Sequence, residues 1–389
     1  MEIQFSKRSE AIEEGIFTIL NNKKTELLNK GREVYNFSVG TPDFKPQLHI
    51  MEALSQAAKN PENYKYALAD QPELLEAVQG FYRNRFGVEL ETEEIMSLYG
   101  SQEGMAHVAI PLCDPGDIVL VPNPGYPVFA HGPELSGARI ETYPLYAENN
   151  FLPVFEDIPE ETARTAKLML VSYPSNPVCS VAGDEFYERL IAFAKKYNIV
   201  ILHDNAYSDI IFQGKEGKSF LSYPGAKEVG IEFYSLSKSY NMTGARISFA
   251  LGNASVIRQF KKVRSQIDYG IFLPVQKAAV AALTGPQEAV KEQCREYERR
   301  SRALCGGFRS IGWDVPDSQG TMFVWAPIPK NYQSSEQFVL DLMEKTGVIA
   351  VPGTAFGDLG EGYVRFALVY DVLAIEKVVG IIGGSGILG

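Results

Sequence analysis

The chain has 389 residues, 45% of them hydrophobic and 22% charged, the balance of a globular protein long enough for two domains and a large core. A formal net charge of −11 argues against a generic nucleic-acid or anionic-membrane binder, though it leaves room for a local anion site. The four cysteines (Cys113, Cys179, Cys294, Cys305) form no Cys-x-x-Cys pair and the four histidines (His49, His107, His131, His203) lack ligand spacing, so no disulfide framework or metal site is expected and a reducing, cytoplasmic setting fits.

Residues 1 to about 30 read as an N-terminal arm and helix, and Met1 to Arg8 lacks the apolar core of an export signal. Along the chain no run of about 18 apolar residues occurs, so no membrane span is expected. Tyr35 to Phe44 reads as a strand closing in a Gly40-Thr-Pro turn. Tyr64-Lys-Tyr66 leads into an amphipathic helix. Next, Tyr99-Gly100-Ser101-Gln102 opens a helix whose free N–H groups and dipole suit an anion, although Gly and Ser also serve as plain caps. The turn Asp114 to Asp117 starts a strand, Ile118 to Val121, followed by Pro122-Asn-Pro-Gly-Tyr126. That tyrosine either faces a planar ligand or fills the core.

Lys167 to Ser172 reads as a buried strand ending in Tyr173-Pro-Ser-Asn176-Pro. A helix from Asp184 to Tyr197 and a strand from Ile199 to Asp204 follow. This unit implies a parallel sheet with a right-handed crossover. Asn176 and Asp204 then both lie just beyond carboxyl ends of strands, where open α/β sheets bind ligands. The stretch from Glu232 to Gly252 begins as a strand, breaks into a polar loop around Lys238 and resumes as a strand, Ile247 to Leu251. Its Ser235, Ser237, Ser239, Lys238 and Arg246 can share a doubly charged phosphate. A desolvated lysine there can also form a Schiff base with an aldehyde. A long charged helix from Pro286 to Gly306 follows. Beyond it the chain alternates strand 322–325, helix 334–345, strand 348–351, a Gly353 loop and strand 363–369. Arg365, inside that last apolar strand, is costly to bury unless it has a partner.

Ser-Leu-Ser-Lys238-Ser-Tyr-Asn-Met-Thr-Gly-Ala-Arg246 resembles the lysine motif of the class I/II aminotransferases, and Asp204-Asn-Ala-Tyr207 lies about 30 residues before it. The similarity covers nearly the whole chain and looks closest to the branch containing LL-diaminopimelate aminotransferases. It implies a fold type I pyridoxal-phosphate transferase of α/β class. A large domain over 46–285 would carry a mostly parallel sheet between helices. Residues 1–45 and 286–389 would form a smaller α+β domain. Lys238 would hold the cofactor as a Schiff base and move the substrate proton, with Asp204 on the ring nitrogen and Tyr207 on the ring oxygen. Gly100, Ser101, Gln102, Ser235, Ser237 and Arg246 would hold the phosphate, and Tyr126 and Asn176 the ring. Gly40 and Arg365 would meet the substrate carboxylate, Arg365 by a bidentate fork. Tyr66, or else Tyr64, would reach the cofactor phosphate of the neighbour in a homodimer with shared active sites, and Ser265 to Phe272 resembles an interface loop.

Together these imply an amino group moved between an L-amino acid and a 2-oxo acid by a ping-pong mechanism, with a lyase or decarboxylase on the same fold as the alternative. The chain departs from the family at Asp70 or Gln71, Leu75, Cys179 and Ala245. A rival match, Ser235-x-x-Lys238 with Lys345-Thr-Gly347, belongs to serine β-lactamases. It lacks Ser-Asp-Asn, and its lysine sits where a helix ends.

Overall fold

The strands are short and, apart from the edge strand Arg139–Pro144, those in the middle of the chain are buried on both faces. In chain order they are β1 (Tyr35–Asn36), β2 (Ile95–Leu98), β3 (Ile118–Asn123), β4 (Arg139–Pro144), β5 (Ala166–Ser172), β6 (Val200–Asp204), β7 (Gly230–Ser235), β8 (Ser248–Gly252), β9 (Phe323–Pro327), β10 (Val348–Ile349), β11 (Val351–Pro352) and β12 (Tyr363–Ala367). These come from a computed structural model, which describes residues 1, 3–6, 10 and 16–389. Of the expected N-terminal arm, residues 2, 7–9 and 11–15 lie outside the described residues; the helix itself is present as Ile16–Asn29.

Seven strands form one sheet in the order β2-β8-β7-β6-β5-β3-β4, parallel throughout except for β8, which runs antiparallel to both neighbours. Alternation along each strand divides its side chains between two cores. Ile201 and Tyr234 pack on one side with Tyr82, Phe186 and Leu190. Leu202 and Phe233 pack on the other with Met105, Phe129 and Phe260. The helix expected over Asp184–Tyr197 is present with those bounds. Its buried stripe is Phe186, Leu190, Phe193 and Ala194, and Asn198 ends it at φ 57°. Asn accepts that left-handed geometry better than most residues.

A second, antiparallel sheet, β11-β12-β9, has its own core of Trp313, Phe323, Phe338, Phe366 and Val378. The helix Glu288–Ser310 links the two sheets and buries Gln293, Tyr297, Arg300 and Leu304.

Two expectations need correction. Residues 348–351 are not one strand: β10 pairs in parallel with β1, and after Ala350 β11 pairs antiparallel with β12. An apolar run shows burial, not the hydrogen-bonding partner. Lys238 does not lie on an open loop either. Leu236–Ser239 is a single helical turn, capped by Ser235 Oγ, which accepts from the Ser237 N–H at 3.1 Å.

Candidate active site

The parallel strands end together at one edge of the large sheet. β5 delivers the turn to Asn176, β6 ends at Asp204, and β7 ends at Ser235 just before Lys238. Because β8 is reversed, its amino end falls on the same edge and brings Arg246 there. Ser248 is the register partner of Ser235. β2, parallel to β7, ends beside the turn Gly100–Gln102. Gly100 sits at φ 92°, and a β-carbon there would collide with the Arg246 guanidinium, so this turn and the arginine are in contact.

Lys238 Nζ donates to the Gly40 carbonyl at 2.6 Å. Burial, then the nearby Arg365 and Arg246 charges, pull its pKa down to about 8, against the opposing pull of Asp204. Asp204 is buried and its Oδ1 has no hydrogen-bond partner; burial pushes its carboxyl up to about 6. Ser172, its register partner on β5, lies close enough to favour the charged form, yet Ser172 Oγ makes no formed hydrogen bond. Tyr207 is buried against Phe323, with ring centroids 5.8 Å apart, and burial raises its pKa.

Arg365 is only 4% exposed, which removes edge exposure as its explanation. Nη1 donates to Asn176 Oδ1 at 2.8 Å and Nη2 to the Ser38 carbonyl at 3.1 Å, while Nε has no partner. The guanidinium lies 4.2 Å from the Phe323 ring centroid and 4.7 Å from that of Phe356. Burial lowers its pKa to about 10, and no carboxylate among the described residues pairs with it. A buried cation without a counter-ion is a site prepared for an anion. The aromatic walls at Phe323 and Phe356 escaped sequence reading, because nothing local marks them.

Tyr126 donates its hydroxyl to Gln102 Oε1 at 3.1 Å, joining the loop after β3 to the Gly100–Gln102 turn. Ser237 is buried in the lysine turn, and the Ser101 and Ser248 hydroxyls are buried without partners. A β-carbon at Gly40 would come within 2.6 Å of Phe323, so this turn must stay bare to pass over the ring. Tyr66 lies apart from the cluster, 76% exposed, its ring against Tyr269. Asp70, one of the departures, accepts from the Ser97 N–H and hydroxyl and so holds β2. Cavities of about 370 and 280 Å³ open beside this centre, both lined by Gln319 and neither by Lys238, Asp204 or Arg365. Convergent, largely buried ionisable groups locate the chemistry.

These residues fit pyridoxal 5′-phosphate. A partnerless buried carboxylate oxygen suits a protonated ring nitrogen. Partnerless serine hydroxyls beside Arg246 suit a phosphate, and an amine depressed to about 8 suits an aldehyde. Fold and site together are those of a fold type I, pyridoxal-phosphate-dependent aminotransferase.

The model of the family "Aminotransferase class I and II" matches residues 32–381, and the chain belongs to that family. It is 42% identical to an LL-diaminopimelate aminotransferase of Dehalococcoides mccartyi, over 98% of this chain and 99% of the relative. Among solved structures, apo-BacF from Bacillus subtilis superposes with a TM-score of 0.96 at 36% identity over the whole of both chains. A probable N-succinyldiaminopimelate aminotransferase from Thermus thermophilus gives 0.91 at 32% identity, over 95% of this chain and all of that one. The relatives named here for an activity are aminotransferases, which supports transamination and not the lyase or decarboxylase alternative.

Proposed function

We propose that this aminotransferase takes LL-diaminopimelate as its amino donor and passes the amino group to a 2-oxo acid, with Lys238, Asp204 and Arg365 as its central residues. One observation carries the residue roles: three ionisable groups from separate elements meet at one sheet edge, Asp204 and Arg365 buried and Lys238 partly so, each with its ionisation displaced. The substrate rests on the 42% identity to relatives of that name.

Bound pyridoxal phosphate supplies an aldehyde carbon and an electron-accepting ring. Asp204 would keep the ring nitrogen protonated, and that cation would give the carboxylate the counter-charge its burial lacks. Tyr207 would donate to the ring oxygen, and Tyr126 and Asn176 would hold the ring. Ser101, Ser235, Ser237, Arg246 and the Gly100–Gln102 turn hold the phosphate. Arg365 grips the substrate carboxylate between its two phenylalanines, with Gly40 alongside. Burial and the Arg365 and Arg246 charges favour the free amine of Lys238, which would take the proton from the substrate Cα once released.

The chain divides in this reading at residues 46 and 285, the large part carrying the seven-stranded sheet. It works as a cytoplasmic homodimer with shared sites. An exposed apolar surface supports the dimer: Tyr64, Tyr66, Leu68, Ile267, Tyr269 and Phe272 are all solvent-facing on adjoining segments. Tyr64 spends its hydroxyl on the Ala58 carbonyl, and no described residue bonds that of Tyr66, which favours Tyr66 as the cross-subunit residue.

The test is the absorption spectrum of the holoenzyme with LL-diaminopimelate, L-aspartate, L-alanine and L-phenylalanine added singly. Bleaching that a 2-oxo acid reverses, most rapid with LL-diaminopimelate, is the expected result. Reversible bleaching led by another donor would overturn the substrate. Release of ammonia or carbon dioxide would overturn transamination as the reaction while leaving the roles of Lys238, Asp204 and Arg365 standing.

A further inference from the structure

The Lys238 turn is held by more than its own strand. A single helical turn leaves its last carbonyls without partners, and that of Lys238 accepts from Gln293 Nε2 at 2.8 Å. Gln293 is 6% exposed and belongs to the helix Glu288–Ser310, 55 residues further along the chain. Its amide is oriented from the other side, because Gln293 Oε1 accepts from Asn241 Nδ2 at 2.7 Å. Turning the amide over would set oxygen against the Lys238 carbonyl and NH₂ against NH₂. Asn241 is itself fixed at φ 58°, a geometry asparagine tolerates, and Nδ2 also reaches the Lys45 carbonyl at 3.3 Å.

Lys45 belongs to the segment that begins at Gly40, whose carbonyl accepts from the Lys238 amine. The same helix holds this segment a second time. Arg300 Nη1 and Nη2 donate to the two Asp43 oxygens at 2.7 and 2.9 Å, and Nη1 donates to the Leu368 carbonyl, just past β12, at 2.9 Å. Helix 288–310 therefore grips the lysine turn with one residue and the substrate-side segment with another.

We propose that Gln293 is a positioning residue of the transamination reaction. It fixes the backbone of the Lys238 turn relative to segment 40–45, so that the amine, once off the Gly40 carbonyl, meets the substrate Cα in register. This rests on the reading of Lys238 as the proton-moving residue. Gln293 touches no reacting atom; it acts through the carbonyl of the residue that does.

The test compares Gln293→Met and Gln293→Glu with the native holoenzyme, using the fastest donor of the four-member panel, protiated and deuterated at Cα. Gln293→Met keeps the volume and removes both hydrogen bonds. Gln293→Glu keeps the acceptor for Asn241 and turns a carboxylate on the Lys238 carbonyl. Displacing a proton-transfer group by a fraction of an ångström costs about 10-fold, so kcat is expected to fall about that much in Gln293→Met and further in Gln293→Glu, with KM within about 2-fold. The deuterium isotope effect on kcat rises in both, as proton transfer becomes more rate-limiting. A purely structural role would lower the folded fraction and leave the isotope effect unchanged, and that result overturns the proposal. So does a kcat within about 2-fold of native in both variants. Lys238→Ala run alongside separates the two readings. If it keeps transaminase activity, the assignment of Lys238 has failed; if it is inactive while both Gln293 variants are normal, only the role of Gln293 has failed.

Discussion

Two buried polar groups of residues lie back to back across strand β6, and they are built on opposite principles. His203 points to one face of the sheet and Asp204, the next residue, to the other. On the His203 face, Glu232 is completely buried and receives four donors: Tyr82 and Ser219 hydroxyls at 2.8 Å, the Phe220 N–H at 2.7 Å and His203 Nδ1 at 3.0 Å. His203 Nε2 in turn meets the Tyr187 hydroxyl at 3.3 Å. No atom of this cluster is left over. On the Asp204 face, Asp204 Oδ1, Arg365 Nε and the Ser101 and Ser248 hydroxyls are buried with nothing to bond. Unmet polar atoms in a dry interior are costly, so the first cluster stabilises the fold while the second holds capacity for a ligand. Both clusters are buried; what distinguishes them is that the Glu232 cluster is saturated with partners while the Asp204 face gathers several unmet polar atoms in one place.

Removing Lys238 should break the comparison most completely on the functional side. Lys238→Ala is expected to lower kcat by about 10³-fold or more, with the melting temperature of the apoenzyme little changed. On the structural side, Glu232→Ala strands three side-chain partners and one backbone donor. It should cost about 3–5 kcal/mol in denaturant unfolding, with near-normal turnover for the molecules that still fold.

Asp204→Asn sharpens the contrast, because it should move activity and stability in opposite directions. Losing the partner of the ring nitrogen is expected to cost about 100-fold in kcat. The apoenzyme, however, carries Asp204 with a pKa raised to about 6, so its folded form binds a proton more tightly than the unfolded chain. Native apoenzyme should therefore lose stability as pH climbs from about 4 to about 6, by roughly 2 kcal/mol, and the asparagine variant should not. Apoenzyme unfolding across that range checks the sign.

Arg365→Lys retains the charge but loses the fork held between Phe323 and Phe356, and KM for the amino donor should rise about 10-fold or more with a smaller change in kcat. The gentlest test is pH alone. Capture of added pyridoxal phosphate by the apoenzyme needs the free Lys238 amine, so its rate should climb with pH around a midpoint near 8, well below that of an ordinary lysine.

Residue pattern by itself determined the local pieces. The apolar stripe of helix 184–197, the buried runs ending at Ser172 and Asp204, and the Ser-Lys-Arg stretch from Ser235 to Arg246 all follow from neighbours within a few positions. The link of these pieces to a family came from that same local motif. Glu232 opened the stretch in plain view as an acid in an apolar strand, a signal of a buried network that the lysine overshadowed.

Tertiary structure decided what pairs with what. It split residues 348–351 between two sheets, and it reversed β8 so that Arg246 reaches the Gly100 turn. It also enclosed Arg365 between two phenylalanines and brought Gln293 to the Lys238 carbonyl. Local sequence sets a side chain's chemistry and its face on an element. Which hydrogen-bond partner waits across that face depends on residues tens to hundreds of positions away, and only the packed chain brings them there.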